Sequence, residues 1–552
     1  MTTWQKIPLG VLCLGSGGAL TIWSAAAILL AVTQTRQGLT LPYLLALVAG
    51  LFVLGASVDL LGRRRAPGAK QGIVAKSVWA DRAQINACHL AETPRDFAGD
   101  GGIYLGEYTD RDGRVMRLRY SGGKHLLCFG VPGSNKTTGL VIPNLAHLRR
   151  SMTVIDPKLQ NAAVTYRQRA KLGKVIVLND FGVLANELPH LAGQSWNLML
   201  QRGLDPDSPD FESTAMCAAD AMIEKSGDGG NSKFFDNSAQ AFTAAWIMWE
   251  RVTKGESANL ANIRGDLSAP TIFDPETKEP ISGFLYLLKQ MSECREHPSI
   301  AQAGGRLYGR LRDQNSMHTA AEDVIDTILS NTKFLSDPNI GAGMACGGPI
   351  DFAALHREIT TIYVGLPPHQ LVHQAKWLRL FINLALAELY RNPPGRDATL
   401  PPVLFMLDEF GNLGRLSQIM SALNLARDYR IQFWMFLQNL GQLKEAYPKD
   451  WGSFFSGCGA LTTFQTADTQ TQEELSKLFG NREEFVETQT ANGVSIAPQS
   501  IRLINPEDIS RRRNGATINL IEPCEMPIKA RAPVYPQTPW ADGLAANPYY
   551  RG

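Results

Sequence analysis

Apolar residues follow two different rhythms along this chain. Near the start, residues 7–32 carry no charged side chain, and a second apolar stretch covers residues 41–61. Each is about long enough to cross a bilayer core as a helix, so two transmembrane helices are expected there. Later, short apolar runs ending in polar residues or glycine recur at 125–129, 152–155, 175–178, 360–366, 403–407, 431–437 and 461–465. Such runs are the pattern of parallel strands buried on both faces. Helical spacing lies between several of them, which predicts a three-layer α/β domain.

The alternation breaks between about residues 203 and 337, where helical patterns such as 238–251 and 320–329 replace the strand-like runs. Pro206, Pro209 and Pro338 mark its borders and 268–282 is rich in turn residues, so an inserted, mostly helical domain is expected. Residues 63 to about 110 are mixed and glycine-bearing and read as a stalk. Short strands return after Asn505, at 516–521 and 527–534. The expected partition is an anchor at 1–66, a discontinuous nucleotide-binding domain at 67–204 and 338–552, and an all-α insertion at 205–337. A chain of 552 residues is too long for one ordinary core.

Charge decides the orientation of the anchor. Arg63, Arg64 and Arg65 follow the second span directly, whereas the segment between the spans carries a lone Arg36. The positive-inside bias then puts both termini and the body of the chain in the cytoplasm, with Asp59 at the interface. A cleaved signal peptide, with Lys6 as its n-region and the first apolar run as its h-region, is the alternative, and the second span would leave the body in the same compartment. The net charge of +2 neither demands nor excludes a nucleic-acid partner. The eight cysteines contain no C-x-x-C pair, which points away from zinc and disulfides and toward a reducing compartment.

Candidate chemistry begins after the first strand-like run. Gly130-Val-Pro-Gly133-Ser134-Asn135-Lys136-Thr137-Thr138 precedes a helical pattern, the setting of a phosphate-binding loop. Its backbone N–H groups would converge on the phosphates of ATP, Lys136 would bridge the β and γ oxygens, and the Thr137 hydroxyl would ligate Mg²⁺. Thr138 is placed for the α-phosphate. The usual glycine before the lysine is Asn135 here; asparagine tolerates positive φ, so the loop can still form. A second strand ends in Asp408-Glu409. Asp408 would hold the magnesium shell, through water, and Glu409 would polarise the attacking water. The 431–437 strand ends in Gln438, suited to sensing the γ-phosphate if the two strands are neighbours. Arg427 could reach a neighbouring subunit's nucleotide. His369 and His373 lie four residues apart but lack a third metal ligand. Arg511, Arg512 and Arg513 form a basic run that could touch a phosphate backbone, although a solvated charged turn explains it more simply.

These residues resemble the type IV secretion coupling proteins of the TraG/TraD kind, relatives of the FtsK and HerA motors. The likeness covers nearly the whole chain: two N-terminal spans, the loop with Gly139-Leu-Val-Ile-Pro143-Asn144, Val154-Ile-Asp156-Pro157-Lys158, Trp196-Asn197, Phe234-Phe235-Asp236, Pro367-Pro368, and Leu407-Asp408-Glu409-Phe410 with Leu413-Gly414. The resemblance implies a RecA-like P-loop motor domain, a homohexameric ring with a central channel, and an all-α domain at the pore entrance. It also implies a bacterial inner-membrane, multi-pass location. Its partners would be type IV secretion inner-membrane components and a relaxase–DNA complex or protein effectors, with DNA bound without sequence specificity. Arg427 and Gln438 occupy the positions of a trans-acting arginine and a γ-phosphate sensor. Asn135 departs from the family pattern, as does Leu159-Gln160, where relatives often carry glycine and an acid. Two classes follow: a coupling ATPase, or a membrane docking platform in which nucleotide only stabilises assembly. A chromosome-partition translocase fits less well, because such motors lack the large helical insertion.

Overall fold

The computed structural model describes residues 77–92, 102–224, 230–312, 316–395, 398–490 and 493–549. The expected spans at 7–32 and 41–61 lie outside them, and among the described residues no helix is long and apolar enough to cross a membrane.

In chain order the strands are β1 (Ala91–Glu92), β2 (Ile103–Thr109), β3 (Val115–Tyr120), β4 (His125–Phe129), β5 (Met152–Ile155), β6 (Lys174–Leu178), β7 (Thr271–Phe273) and β8 (Pro280–Ser282). There follow β9 (Thr360–Val364), β10 (Val403–Leu407), β11 (Ile431–Leu437), β12 (Cys458–Thr463), β13 (Asn481–Thr490), β14 (Gly493–Arg502), β15 (Ala516–Ile521) and β16 (Cys524–Arg531). Twelve of them make one sheet in the order β1-β3-β2-β16-β15-β12-β4-β11-β10-β5-β9-β6. From β12 to β6 every pairing is parallel, and from β12 to β1 every pairing is antiparallel. The β13–β14 ribbon is separate, and its distal part, Phe485–Pro498, belongs to a compact unit distinct from that of the main body.

The apolar runs became parallel strands because both of their faces are covered. Leu127, Phe129, Phe405, Leu407, Phe433 and Met435 face one core. Leu126, Cys128, Leu404, Met406, Trp434 and Phe436, the intervening residues, face the other. Each large apolar side chain removed from water contributes roughly 1.5–3 kcal/mol, which a strand earns on both sides only between two helical layers. The first core continues into Trp246, Leu288 and Ile328 of the helical region, and the second into Leu145, Ala162 and Ile528.

Several differences from the sequence expectation concern strands: β7–β8 and β13–β14 form where no strand-like run was read, and the run expected at 527–534 is β16, Cys524–Arg531. The stretch read as a stalk up to about residue 110 contains β2, and β3 follows it in the same sheet. β3 alternates, with Arg117 and Arg119 between Met116, Leu118 and Tyr120; β2 is buried over its first four residues and opens from Glu107 onward, and Gly106 breaks its register at φ +113. β12 begins at Cys458 instead of about residue 461, through an irregularity between Cys458 and Ala460.

Between β6 and β9 the chain forms helices Phe211–Met222, Gly230–Lys254, Asn262–Leu267, Gly283–Ser292, Pro298–Arg312, Ser316–Asn331 and Pro338–Cys346. They are broken by the small antiparallel β7–β8 ribbon. Trp246 Nε1 donates to Asp266 Oδ2 at 2.9 Å and Arg264 Nη1 to Leu329 O at 2.6 Å, tying three of these helices together.

His125, at the start of β4, is 1% exposed. Its Nδ1 accepts from Phe433 N–H at 3.1 Å and its Nε2 lies 3.2 Å from Ala422 O, so the neutral Nε2–H tautomer satisfies both contacts. A second proton would displace the Phe433 donor. Burial pushes its pKa down from 6.5 to about 4. The unfolded chain therefore takes up a proton that the fold refuses, and stability falls as pH drops from about 6.5 toward 4. The loss should approach roughly 3 kcal/mol. Urea unfolding at pH 7 and pH 5 should show it, and a His125→Gln chain should lose less between the two pH values.

Candidate nucleotide site

The seven parallel strands end along one edge of the sheet. β11 lies between β4 and β10, with Leu437 opposite Phe129 and Met435 opposite Leu407. Leu407 also pairs with Ile155 of β5. The residues that follow these strands, Gly130, Asp156, Asp408 and Gln438, are thereby gathered at one place. The condition attached to Gln438, adjacency of its strand, is met on both sides.

The loop after β4 is held over this edge by its own backbone. Gly130 N donates to Leu437 O at 3.0 Å and Val131 N to Gln465 O at 3.0 Å. Gly130 must be glycine here, since a Cβ would stand 2.7 Å from Ser134 Oγ and 3.0 Å from Phe464 Cβ. The chain reverses through left-handed residues Gly133 (φ +78) and Asn135 (φ +72). Asparagine is among the side-chain-bearing residues that accept this conformation most readily. The Asn135 amide lies beside Gly515, 3.4 Å from where a Cβ would stand there, so its side chain leans on the turn before β15.

The loop runs into a π-type turn, Thr137–Val141, and the helix Ile142–His147. Buried Asn144 anchors that helix: it accepts from Tyr104 N at 2.8 Å and donates to Tyr104 O at 2.9 Å and Leu140 O at 2.8 Å. Gly139 sits against Ala532 O, 2.8 Å from a would-be Cβ. The C-terminal strand region and β2 thus both brace the loop's helix.

Lys136 is buried and its ammonium donates to Gly130 O. Thr137 Oγ1 lies 3.5 Å from Asp408 Oδ2. Burial raises the Asp408 carboxyl to about 6, with Glu409 adding to the rise and Lys136 opposing it. Glu409 takes a left-handed conformation, φ +60 and ψ +39, a strain uncommon outside glycine and asparagine. Its Oε2 accepts from Gln438 Nε2 at 3.0 Å and lies 3.5 Å from Asn412 Nδ2. Gln438 is itself fixed, its N–H donating to Gln442 Oε1 at 3.0 Å. Thr138 follows Thr137 on the π-type turn.

The structure brings together Gly130, Gly133, Ser134, Asn135, Lys136, Thr137, Thr138, Asp408, Glu409 and Gln438. Arg427 is not among them. It is exposed and packs on Gly123, 3.5 Å from a would-be Cβ there, in the turn entering β4. Five residues of strand, about 17 Å, separate that turn from the loop. Its own nucleotide site is therefore out of reach, whereas the outer surface at that end of the sheet is open to a neighbour.

Two polar groups here were given no role by the motif reading. Asp156, 2% exposed at the end of β5, accepts from Ala162 N at 2.8 Å and from Asn161 Nδ2 at 3.4 Å. Burial, with Asp408 adding to it, pushes its pKa up to about 7. Asn412 touches Glu409 as described. An acid ending the strand beside that of Asp408 was a readable signal; the Asn412 contact had none. His369 and His373 are exposed, and among the described residues no cluster of three metal-ligating side chains occurs. Of the basic run, Arg512 donates to Thr517 O at 2.8 Å and Arg511 lies 3.8 Å from Glu507.

The residues present fit a nucleoside triphosphate with magnesium. The buried Ser134 hydroxyl has no protein partner, an unmet donor on the loop that a phosphate oxygen would satisfy. A hydroxyl and a carboxylate side by side, Thr137 and Asp408, are hard oxygen donors of the kind Mg²⁺ takes.

Comparison with known proteins points the same way. A family model described as "Type IV secretory system Conjugative DNA transfer" matches residues 68–542. The conjugal transfer protein TraG of Escherichia coli is 23% identical over 471 residues, covering 81% of this chain and 70% of that protein. Protein VirD4 of Rhizobium radiobacter is 27% identical over 442 residues, 74% of this chain and 57% of its own length. Among solved structures, the bacterial conjugative coupling protein TrwB lacking its N-terminus superposes with a TM-score of 0.59 at 13% identity, over 85% of this chain and 95% of that one. Other crystals of TrwB hold a non-hydrolysable ATP analogue, or ADP with Mg²⁺.

Proposed function

The chain belongs to the type IV secretory system conjugative DNA transfer family, and on that premise we propose that it is a coupling ATPase which uses ATP hydrolysis to drive substrate into a secretion channel. The observation that carries this reading is the convergence of Thr137, Asp408, Glu409 and Gln438 at the ends of three adjacent strands, under one phosphate-binding loop.

Bound ATP with Mg²⁺ would supply the phosphoanhydride whose cleavage powers the cycle. Lys136 and the N–H groups of residues 133–138 hold the phosphates. Thr137 and Asp408 would hold the ion. Glu409 takes a proton from the attacking water on its free Oε1, since Oε2 is occupied by Gln438. Gln438 links this base to the γ-phosphate, so that phosphate contact and base position are read by one side chain. Arg427 neutralises charge at the next subunit's site in a homohexamer.

The remaining assignments follow the family. Residues 7–32 and 41–61 anchor the chain in the bacterial inner membrane with the bulk cytoplasmic, and 205–337 forms a helical domain inserted at the pore entrance. The cargo is a relaxase-bound single DNA strand, held through its backbone without sequence preference, or protein effectors, handed to the inner-membrane components of the secretion apparatus. The other reading, a nucleotide-gated docking platform, draws on Asn135 in the loop.

ATP turnover by the full chain with and without single-stranded DNA separates them. The expected result is DNA-stimulated hydrolysis that Lys136→Ala abolishes. Turnover indifferent to DNA favours protein cargo, and absent turnover with intact ATP binding favours the platform.

A further inference from the structure

The helix Pro298–Arg312 contains three arginines and no acidic residue. Its buried side is Ile300, Gly304 and Leu307. Gln302, Arg306 and Gly309 are exposed and Arg310 partly so, and at spacings of four, seven and eight residues they form one outward stripe. At the end of this stripe the Arg310 guanidinium lies over the ring of Phe234, 5.6 Å from its centroid. Phe234 is 42% exposed and meets Phe235 edge-on, with centroids 5.5 Å apart. The ring is thus held by a guanidinium and a second ring while part of it still faces water.

The glycines of the helix differ in their reasons. A Cβ on Gly304 would stand 2.5 Å from Met291 Cβ, so close helix packing requires that glycine. A Cβ on Gly309 would meet nothing within 4 Å. A helix-interior glycine weakens the helix relative to alanine, and nothing inside the protein repays it at position 309. It leaves a smooth floor between Arg306 and Arg310 on which another backbone can lie close. Glu212 meets this helix at its opposite end, where Ser299 Oγ donates to it at 2.7 Å.

We propose that Phe234, Gln302, Arg306, Gly309 and Arg310 form a binding site for single-stranded nucleic acid on the helical insertion. The arginines pair with successive phosphates, Gly309 admits the sugar–phosphate chain, and one base stacks on the open part of the Phe234 ring. Stacking plus a basic track without base-edge hydrogen bonding gives affinity without sequence preference. A paired helix hides its base faces and cannot use the ring, and an acidic peptide would use the arginines but gain little from Phe234. The proposal rests on the reading that DNA is the cargo and assigns where the insertion grips it.

The test is binding of a fluorescent thymidine oligonucleotide to the full chain in detergent, with ATP turnover measured in parallel. Phe234→Ala is expected to weaken binding about tenfold, as loss of one stacked base does. Arg306→Gln with Arg310→Gln should lower the slope of log affinity against log salt by about 1.4, since each released phosphate contact contributes about 0.7 on a single strand. Gly309→Leu should keep or raise the melting temperature, leucine being the better helix former, while binding falls; that separates a blocked surface from a damaged fold. All three should retain DNA-independent turnover. Wild-type affinity in these variants while the oligonucleotide still binds would overturn the site and leave the cargo reading standing. Absence of oligonucleotide binding by the wild type would overturn both, and variants that lose a poly-glutamate peptide but not DNA would reassign the patch to a protein partner.

Discussion

Replacing Glu409 with glutamine is expected to lower ATP turnover by about two to four orders of magnitude, the contribution of a positioned general base, while leaving nucleotide binding intact. The substitution keeps the size of the side chain and lets its amide oxygen accept from Gln438, at the place where Oε2 now does so at 3.0 Å. The backbone strain at φ +60 is unchanged, because glutamine and glutamate tolerate it alike. What disappears is the carboxylate proposed to take the water proton. Removing that charge also relieves Asp408, whose pKa Glu409 helps to raise, so magnesium affinity should hold or improve. Steady-state hydrolysis alongside binding of a fluorescent ATP analogue separates the two effects. A variant that hydrolyses ATP within threefold of the wild type would place the base elsewhere, with Asp156 the first alternative.

Replacing Arg427 with alanine is expected to cost a comparable or larger factor, about 10³ or more for a trans-acting arginine, without touching ATP affinity. Arg427 is exposed and lies on Gly123 at the end of the sheet away from its own loop, so the truncation should change stability by no more than about 0.5 kcal/mol. Mixing supplies the decisive readout. Arg427→Ala chains have an intact loop, and Lys136→Ala chains have an intact arginine. Each is inactive alone, and where the two are neighbours in a ring one competent site is restored. Recovery of turnover on mixing establishes action between subunits; no recovery at any ratio would mean that Arg427 serves its own chain or none. Arg427→Lys should restore little, because lysine keeps the charge but not the planar fork.

Much of the site was legible because its signals are local. β4, β5, β10, β11 and β15 fall where the apolar runs place them, since a strand buried on both faces is apolar at most positions, buried polar residues such as His125 and Gln432 being hydrogen-bonded. The candidate phosphate-binding loop and the acid pair follow those runs directly in sequence, so recognising the run locates them. Even the anomaly at Asn135 was interpretable: the required left-handed φ is a property of that one residue and its side chain. β2 and β3 escaped for the opposite reason. One of their faces carries arginines and a glutamate, and only pairing with β16 and packing against Leu126, Ile528 and Leu140 makes the other face a core.

The chain alone thus pointed to the strands buried on both faces, to a candidate phosphate-binding loop and to the two carboxylates that follow β10, because hydrophobic period and turn chemistry act over a few residues. Pairing partners are chosen by contacts between residues hundreds of positions apart, and no local pattern encodes them. The insertion of β11 between β4 and β10 was decided in three dimensions, and with it the contact of Gln438 with Glu409. So were the burial that raises Asp156 and Asp408 together, and the removal of Arg427 to the far end of the sheet. The Arg310–Phe234 pair belongs with these: its members stand 76 residues apart and meet because two helices share a core.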